Sequence, residues 1–426
     1  MTNQKIAEFR RGWPMLMAST VGIGLGVSSL AIYSAGLFVH DLGNDIGLTT
    51  AMFGLAFSLL AFGTALAIPV VGYAIDKFGV KKPTIVGALG LAVGFFAMGT
   101  VVHTVPAYLA TMGLIGFFGA SSGPIAFARA VSSWFDQARG LALGIAMMGM
   151  GLGGAIIPIT IGRVIDIYGW QNGYLVLAAM AALGILPTLL FVSEAPPPKN
   201  ESLVDSVLIE DKKSFIPLRG NILFWQLVVT YGVLAVAFTG LIPHFVPMLR
   251  DSGMSAADAA SIFSLVGISV IVSRLAIGFL LDIIEPTRLA AFLCILCAIG
   301  VAALSVGGVV YAPVAAISTG FMLGAELDIL GYIISRYFGL AAFGRAYAGP
   351  FTAFLIGGGL APIWVGTVAE QAGSYTPALT IITALTLLCG VGFLFLPSAR
   401  KTKTQLPGGN CVKPGTSPKA SCESDL

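Results

Sequence analysis

The chain contains 426 residues, of which 57% are hydrophobic and only 10% are charged. Soluble domains carry roughly 25% charged residues, so these charges are too few to cover a soluble surface of this size. A soluble enzyme, a nucleic-acid-binding protein and a disordered protein are therefore excluded. The formal net charge of +3 gives no indication of a polyanionic partner. The composition predicts an integral membrane protein.

Hydropathy divides the chain into about twelve apolar runs, each long enough to cross the ~30 Å hydrocarbon core of a bilayer. The runs are continuous rather than alternating, which predicts helices instead of barrel strands. The first run is too long for the apolar part of a cleavable signal peptide. The predicted helices cover residues 14–39, 51–75, 83–102, 107–132, 141–163, 172–192, 222–247, 257–281, 289–306, 311–334, 345–369 and 375–396.

Two polar segments interrupt this pattern. The first, around residues 193–221, contains three consecutive prolines and separates the runs into six and six. The second follows residue 398 and is rich in Gly, Pro and Ser, which predicts disorder. We therefore expect an N-terminal six-helix bundle (1–193), a cytoplasmic central loop (194–221), a C-terminal six-helix bundle (222–398) and a disordered cytoplasmic tail (399–426).

The distribution of the 23 Lys and Arg residues predicts the orientation. With the N-terminus inside, only Arg163 and Arg250 fall in outer loops, while Arg129 and Arg274 lie inside predicted helices. All other basic residues then fall on cytoplasmic segments. This positive-inside pattern predicts a multi-pass protein of the plasma (inner) membrane with both termini in the cytoplasm.

Three sequence markers occur in the same order in both halves of the chain. The segment 72–76 (GYAID) recurs as 278–282 (GFLLD), and the aromatic pair 134–135 recurs as 337–338. A glycine cluster followed by a proline occurs in both the fifth and the eleventh helices. Their common order predicts two homologous six-helix halves. Such halves suit alternating access, in which one bundle rocks against the other around a site near the midplane.

Residues 72–82 (GYAIDKFGVKK) follow the pattern G-x-x-x-D-[RK]-x-G-x-[RK]-[RK]. This segment resembles the loop 2–3 signature of the major facilitator superfamily. The resemblance implies an all-α membrane protein with twelve transmembrane helices in two pseudo-symmetric six-helix bundles. It also implies a gating and assembly role for Gly72, Asp76, Lys77, Gly79 and, in the second half, Asp282. Glycine permits a tight turn, and an aspartate can brace a neighbouring helix end.

Four further stretches resemble the monocarboxylate-porter branch of that superfamily, whose bacterial relatives include oxalate–formate exchangers. These stretches are 133–144, 273–278, 324–332, and 335–339 with 343–345. The resemblance implies that Arg274 binds the substrate carboxylate. The eleventh predicted helix lacks the Lys that the oxalate exchanger uses as a second cation for a dicarboxylate.

Charged residues inside predicted helices are candidates for function, because a charge at bilayer depth is costly. The guanidinium of Arg274 can hold a carboxylate by two parallel hydrogen bonds and does not lose its proton. The alternatives for Arg274 are a structural ion pair with a neighbouring helix and snorkelling to the surface. Glu326 and Asp328 are two positions apart and face different directions on a helix. A carboxyl in an apolar environment can hold a proton near neutral pH. We assign proton coupling to this pair and favour Glu326, with a permanent salt bridge as the alternative.

Other intramembrane residues have weaker claims. Arg129 is a possible second cation of the pathway, or it snorkels to the cytoplasm. Three tyrosines could line the cavity and supply hydroxyl groups, although single aromatic residues in apolar helices more often serve packing; these are Tyr33, Tyr231 and Tyr332. His244 falls near the outer end of the seventh helix, where an interfacial position is more frequent than a proton relay.

These observations together predict a secondary active transporter that carries a small monocarboxylate or related organic anion in proton-coupled symport by alternating access. Its partners would be the organic anion, protons and the lipid bilayer, with no nucleic acid, and it would act as a monomer. The alternatives are an organic-anion exchanger and an exporter of small hydrophobic compounds. Drug–proton antiporters of the superfamily carry an Arg early in the fourth helix, and residues 107–122 contain none.

An enzyme is not expected. The 3 His residues fall near predicted outer ends without metal-ligand spacing, and no phosphate-binding loop is present. We therefore expect no metal and no cofactor.

Overall fold

The computed structural model describes residues 3–135, 138–193, 220–338 and 343–396. The predicted tail, and almost all of the predicted central loop, lie outside these ranges. Within them, the regular structure consists of α-helices and short 3-10 turns. Helices are the expected outcome, because a lipid environment offers no hydrogen-bond partners and a helix satisfies its own backbone.

Eleven helical segments in the described ranges are long and apolar enough to cross a membrane. The longest, Pro286–Phe338, contains two helices that pack against each other after a turn at Gly308, whose φ is 68°. We number these two separately. The helices are α1 Ile6–Ile46, α2 Thr50–Phe78, α3 Lys81–Thr100, α4 Val105–Trp134, α5 Arg139–Tyr168, α6 Trp170–Phe191, α7 Ile222–Asp251, α8 Ala256–Ile283, α9 Pro286–Gly307, α10 Ala312–Phe338, α11 Phe343–Ala372 and α12 Thr376–Leu394.

The predicted helix limits agree with these bounds to within a few residues at most ends. The first helix is the main exception, since it extends well beyond the predicted 14–39 at both ends. The seventh helix continues to Asp251, so Arg250 lies in a helix and not in the predicted loop. Helical continuation at both places satisfies backbone groups that a loop would leave to solvent.

The packing of the helices repeats between the two halves. In the first half, α1 packs on α5, α2 on α4, and α3 on α6; in the second half, α7 packs on α11, α8 on α10, and α9 on α12. The halves meet mainly through α2 with α11 and through α5 with α8. The correspondence between the halves maps α2 to α8 and α11 to α5. It therefore converts the first of these two contacts into the second. The fold therefore consists of two pseudo-symmetric helical bundles, as the sequence markers predicted.

Two helices of the first bundle are broken near their middle. Helix α1 is interrupted at residues 25–26, and α4 is interrupted around the 3-10 turn Ala120–Ser122. The breaks touch each other, because a Cβ at Gly26 would lie only 2.1 Å from the carbonyl oxygen of Ser122. The backbone amide of Val27 donates to the Ser122 hydroxyl at 3.3 Å. One polar side chain thus satisfies a backbone group where the helical ladder of α1 is interrupted.

The contacts between the bundles are concentrated at one end. We call the end where α1 finishes and α2 begins the distal face, and the end where α2 finishes the proximal face. At the distal end, a Cβ at Gly54 of α2 would lie 2.2 Å from the carbonyl oxygen of Pro362 in α11. At the proximal end, a Cβ at Gly72 or Gly278 would have no described atom within 4 Å. The two bundles are therefore in close contact distally.

Candidate functional site

Arg274 lies on α8 and its side chain is only 16% exposed. Its Nη1 atom lies 3.4 Å from Oδ2 and 3.5 Å from Oδ1 of Asp328 on α10. Charge-assisted hydrogen bonds are usually shorter, at roughly 2.7–2.9 Å. The Nε atom of Arg274 is buried and has no hydrogen-bond partner among the described residues. The guanidinium therefore has a loosely held counter-ion and an unused donor.

Glu326 lies two residues before Asp328 on α10 and has a different environment. It is only 4% exposed, whereas the side chain of Asp328 is 42% exposed. The Oε2 atom of Glu326 is buried without a hydrogen-bond partner in the described part of the chain. The two-residue spacing correctly predicted that the two side chains face different environments. The counter-ion of Arg274 is Asp328; Glu326, which the sequence analysis favours for proton coupling, forms no ion pair in the described residues.

Tyr33 brings the first bundle to this site. It lies on α1, is 1% exposed, and its hydroxyl has no partner within the described ranges. The charges of Arg274 and Glu326 act electrostatically on this hydroxyl. The ring packs 6.0 Å from the ring of Phe263, and a Cβ at Gly154 of α5 would lie 2.9 Å from it. Tyr33 is thus held at the interface between the bundles.

The three unpartnered groups define the chemistry of the site. Arg274 offers an N–H donor, Glu326 offers a carboxyl oxygen, and Tyr33 offers a hydroxyl that can donate or accept. A buried polar group without a partner costs about 1–3 kcal/mol. A small polar anion that pairs these groups would recover this cost. The arrangement therefore suits a solute with a carboxylate for the guanidinium and at least one further polar atom.

The other predicted tyrosines have hydroxyls that are already engaged. The Tyr231 hydroxyl on α7 donates to the backbone carbonyl of Glu326 at 3.1 Å, which fixes α7 against α10. The Tyr332 hydroxyl accepts from Arg336 at 2.6 Å, and that guanidinium also stacks 5.0 Å from the Tyr332 ring. The structure therefore brings Tyr33, and neither of these two, to the site with a free hydroxyl.

The loop signature lies at the proximal end of the first bundle. Asp76 of α2 forms an ion pair with Arg129 of α4, so it braces a neighbouring helix as predicted. This ion pair gives Arg129, the possible second cation, a role within the bundle. Gly79 ends α2 with a φ of 74°, which is the predicted tight turn. Lys77 lies over the ring of Phe78 at 5.3 Å, and the side chain of Asp282 lies outside the described residues.

His244 lies in α7 and is completely buried at 0% exposure. It packs edge-on against Phe53 of the other bundle, 5.4 Å between ring centroids. Its Nε2 atom is 3.0 Å from the carbonyl oxygen of Pro362, and its Nδ1 atom is 3.3 Å from the hydroxyl of Tyr375. A carbonyl oxygen can only accept, so in the neutral ring Nε2 donates to Pro362 and Nδ1 accepts from the hydroxyl of Tyr375, which lies in the loop before α12.

A cavity of about 360 Å³ lies between α1, α2 and α11. Its lining comes from both bundles and is almost entirely apolar, with Ser28, Thr64 and Thr352 as its hydroxyl-bearing residues; the large apolar members include Ile32, Phe57, Phe62, Phe354 and Ile356. A space of this kind accommodates a hydrophobic group and offers nothing to balance a charge.

Comparison with known proteins decides the family. The model of the family described as Major Facilitator Superfamily matches residues 21–332, which is more than half of the chain. The chain belongs to the major facilitator superfamily. The crystal structure of a D-xylose-proton symporter superposes with a TM-score of 0.73 at 15% identity, covering 91% of this chain and 98% of that one. This likeness shows that the two proteins share a fold.

Two curated relatives extend this assignment. The uncharacterized MFS-type transporter YhjX of Escherichia coli is 23% identical over 339 residues, covering 77% of this chain and 81% of its own. The human monocarboxylate transporter 11 is 24% identical over 422 residues, covering 94% and 86% respectively. The chain is accordingly a multi-pass membrane transporter of small molecules and not an enzyme.

Proposed function

We propose that this protein is a secondary active transporter that carries a small monocarboxylate, or a related organic anion, together with a proton by alternating access. One observation carries the proposal. Arg274 and Glu326 of the second bundle, and Tyr33 of the first, each have a buried polar atom without a partner among the described residues. The likeness to the human monocarboxylate transporter 11 supports the same substrate class.

The charges at the site suggest how a proton is coupled to the anion. Without substrate, Asp328 balances Arg274 at 3.4 Å. A bound carboxylate takes the place of Asp328 on the guanidinium and adds one negative charge to the site. Moving a site with an unbalanced charge through a low-dielectric interior is costly. Binding one proton with each monocarboxylate restores neutrality, which makes symport of one anion with one proton the favoured mode.

Asp328 is our choice for the residue that takes up this proton. It is the carboxylate that substrate displaces, and its side chain is exposed enough to exchange protons with water. Glu326 forms no ion pair in the described residues, and we propose that it stays uncharged and hydrogen-bonds to the substrate. This assignment replaces the preference for Glu326 that the sequence suggested.

The orientation follows from the basic residues. We propose that the proximal face, which carries Lys77 and the N-terminus, lies in the cytoplasm. The protein then resides in the plasma (inner) membrane with both termini inside. It works as a monomer, with the two bundles 1–193 and 222–398 as its moving parts.

The test is binding and uptake by the Arg274→Lys variant. Lysine keeps the charge and loses the forked geometry, so we expect at least a tenfold weaker affinity for the best acid of a monocarboxylate panel. Affinity is measured by thermal shift on purified protein, and uptake is measured in proteoliposomes with an imposed pH gradient. Arg163→Lys, at an exposed position in α5, is the matched control. Unchanged affinity in Arg274→Lys would remove Arg274 from the site.

Two alternatives make different predictions. An organic-anion exchanger would take up labelled acid only against internal acid, with a flat pH profile that a protonophore leaves unchanged. An exporter of small hydrophobic compounds is favoured by the apolar cavity between α1, α2 and α11. Such an exporter would be stabilised in the thermal-shift screen by uncharged hydrophobic compounds and not by carboxylates.

A further inference from the structure

A carboxylate of one bundle caps a helix of the other at the distal face. Asp166 lies near the end of α5, in the first bundle. Its Oδ1 atom is 3.2 Å from the backbone nitrogen of Ala256, and its Oδ2 atom is 2.8 Å from that of Ala257. These are the first two residues of α8, in the second bundle. The contact therefore joins the two halves of the molecule.

The pseudo-symmetric position carries the same contact. Glu370 lies near the end of α11, and its Oε2 atom is 2.8 Å from the backbone nitrogen of Ala51, the second residue of α2. Helices α11 and α2 are the counterparts of α5 and α8. Glu370 follows Asp166 by 204 positions, close to the spacing of the sequence markers. A carboxylate of each bundle thus accepts from backbone amides at the start of a helix in the other bundle.

The two helix starts leave amides available for these carboxylates. The first N–H groups of a helix lack partners within it and carry its positive dipole end. In α2 the Thr49 side chain accepts from Met52, and in α8 the Ser255 side chain accepts from Asp258, both three residues on. The earlier amides, at Ala51 and at Ala256 and Ala257, are bonded across the interface. The amides of Ala51, Ala256 and Ala257 therefore keep these partners only when the bundles meet distally.

A third contact joins the bundles at this face. Arg250 of α7 donates to Asp41 of α1 at 2.6 Å and to the carbonyl oxygen of Leu37 at 2.9 Å. The two side chains are 10% and 26% exposed, so solvent screens this pair less than a surface ion pair.

We propose that Asp166, Glu370 and the Arg250–Asp41 pair form a distal latch, which holds the distal face closed and sets the fraction of molecules that open there. Opening requires the bundles to separate distally, which breaks all three contacts at once. This proposal goes beyond the transported substrate, because the latch acts on the empty protein.

The latch predicts the effect of removing each charge. A carboxylate at a helix N-terminus is worth enough to change an equilibrium about two- to fivefold. Asp166→Asn and Glu370→Gln should therefore each raise the distally open fraction about two- to fivefold. The two substitutions act on the same closed–open equilibrium from separate positions. The double variant should therefore raise the distally open fraction by the product of the two single effects.

The reporter for opening is a thiol at position 53. Phe53 of α2 is buried against His244 of α7, so a cysteine there is shielded while the distal face is closed. All variants carry Phe53→Cys, with Cys411 and Cys422 replaced by serine. The rate of maleimide labelling at position 53 is measured without substrate by peptide mass spectrometry, and the unfolding temperature is recorded alongside.

Asp258→Asn is the control, because this carboxylate lies at the same end of α8 and, among the described residues, bonds only to Ser255, the residue just before that helix. The proposal requires faster labelling in Asp166→Asn and Glu370→Gln and an unchanged rate in Asp258→Asn. Equal rates in all variants, or an equal rise in all three, would overturn it. Because no substrate is present, the result does not depend on whether the protein transports a monocarboxylate.

Discussion

Replacing Asp328 by asparagine should tighten the binding of the anion. In the proposed mechanism, Asp328 competes with the substrate carboxylate for Arg274, so its charge must be displaced before the anion binds. Asparagine has nearly the same shape and mimics the protonated aspartate. The Asp328→Asn protein should therefore behave at neutral pH as the parent protein behaves at low pH.

The magnitude follows from the geometry of the ion pair. At 3.4 Å, two unit charges attract each other by about 1 kcal/mol at the dielectric constant of water and by several times more in a protein interior. The Asp328 side chain is 42% exposed, so solvent screening keeps the value near the lower limit. Loss of this competitor should lower the Kd of the anion about fivefold, since 1.4 kcal/mol corresponds to tenfold.

The sign of the pH dependence can be derived from the same competition. Lowering the pH protonates Asp328 and removes the competing charge, so the parent protein should bind the anion more tightly as pH falls. One proton taken up with each anion changes the Kd by at most about tenfold per pH unit. In Asp328→Asn this dependence should disappear, for an anion whose own ionisation is complete over the range tested.

The assay is a titration by isothermal calorimetry between pH 5 and pH 8 on the parent, Asp328→Asn and Glu326→Gln. Glu326→Gln is the matched comparison, because it removes the neighbouring carboxyl and leaves the competitor of the anion in place. It should keep the pH dependence. Weaker binding in Asp328→Asn, or a pH slope equal to that of the parent, would refute the assignment of Asp328.

Two further predictions concern buried groups. Tyr33→Phe removes a buried hydroxyl that has no partner in the described residues. We therefore expect an unfolding temperature that is unchanged or higher, together with a several-fold weaker affinity for the acid. A large loss of stability with unchanged affinity would contradict a role in binding. Gly54→Ala places a methyl group 2.2 Å from the carbonyl oxygen of Pro362, which should cost about 1–3 kcal/mol in the free energy of unfolding. Gly72→Ala meets no described atom within 4 Å and should cost much less, and an equal cost for both would argue against close distal packing.

The fold was largely predictable because the bilayer imposes it. A low charge content and twenty-residue apolar runs leave helices as the only choice, and the repeated markers fixed the correspondence between the halves. The ends of α1 and α7 were less predictable. Polar residues such as Asp41 and Arg250 end an apolar run in the sequence, yet they continue the helix because they pair with each other across the interface.

The site was predictable as a set of residue types and less so as a set of contacts. Arg274 is recognisable in the sequence because it is a charged residue within an apolar helix. The two-residue spacing of Glu326 and Asp328 indicated that the two carboxyl groups have different environments. Which carboxyl faces the guanidinium depends on the rotation of α10 against α8, and a single sequence does not encode this rotation in any short pattern. The free hydroxyl of Tyr33 was likewise indistinguishable in sequence from the engaged hydroxyl of Tyr231.

Under the proposed mechanism, the ion pair between Arg274 and Asp328 also bears on whether the protein performs net transport or exchange. A carrier that performs net uptake must return empty, and a lone buried guanidinium would oppose this step because its charge has no compensation. Asp328 supplies the compensating charge within the protein, so the empty site is neutral and can reorient. Without Asp328, only a bound anion can neutralise Arg274. The same carboxylate that weakens binding therefore permits the return of the empty carrier, and a transporter without it would be restricted to exchange.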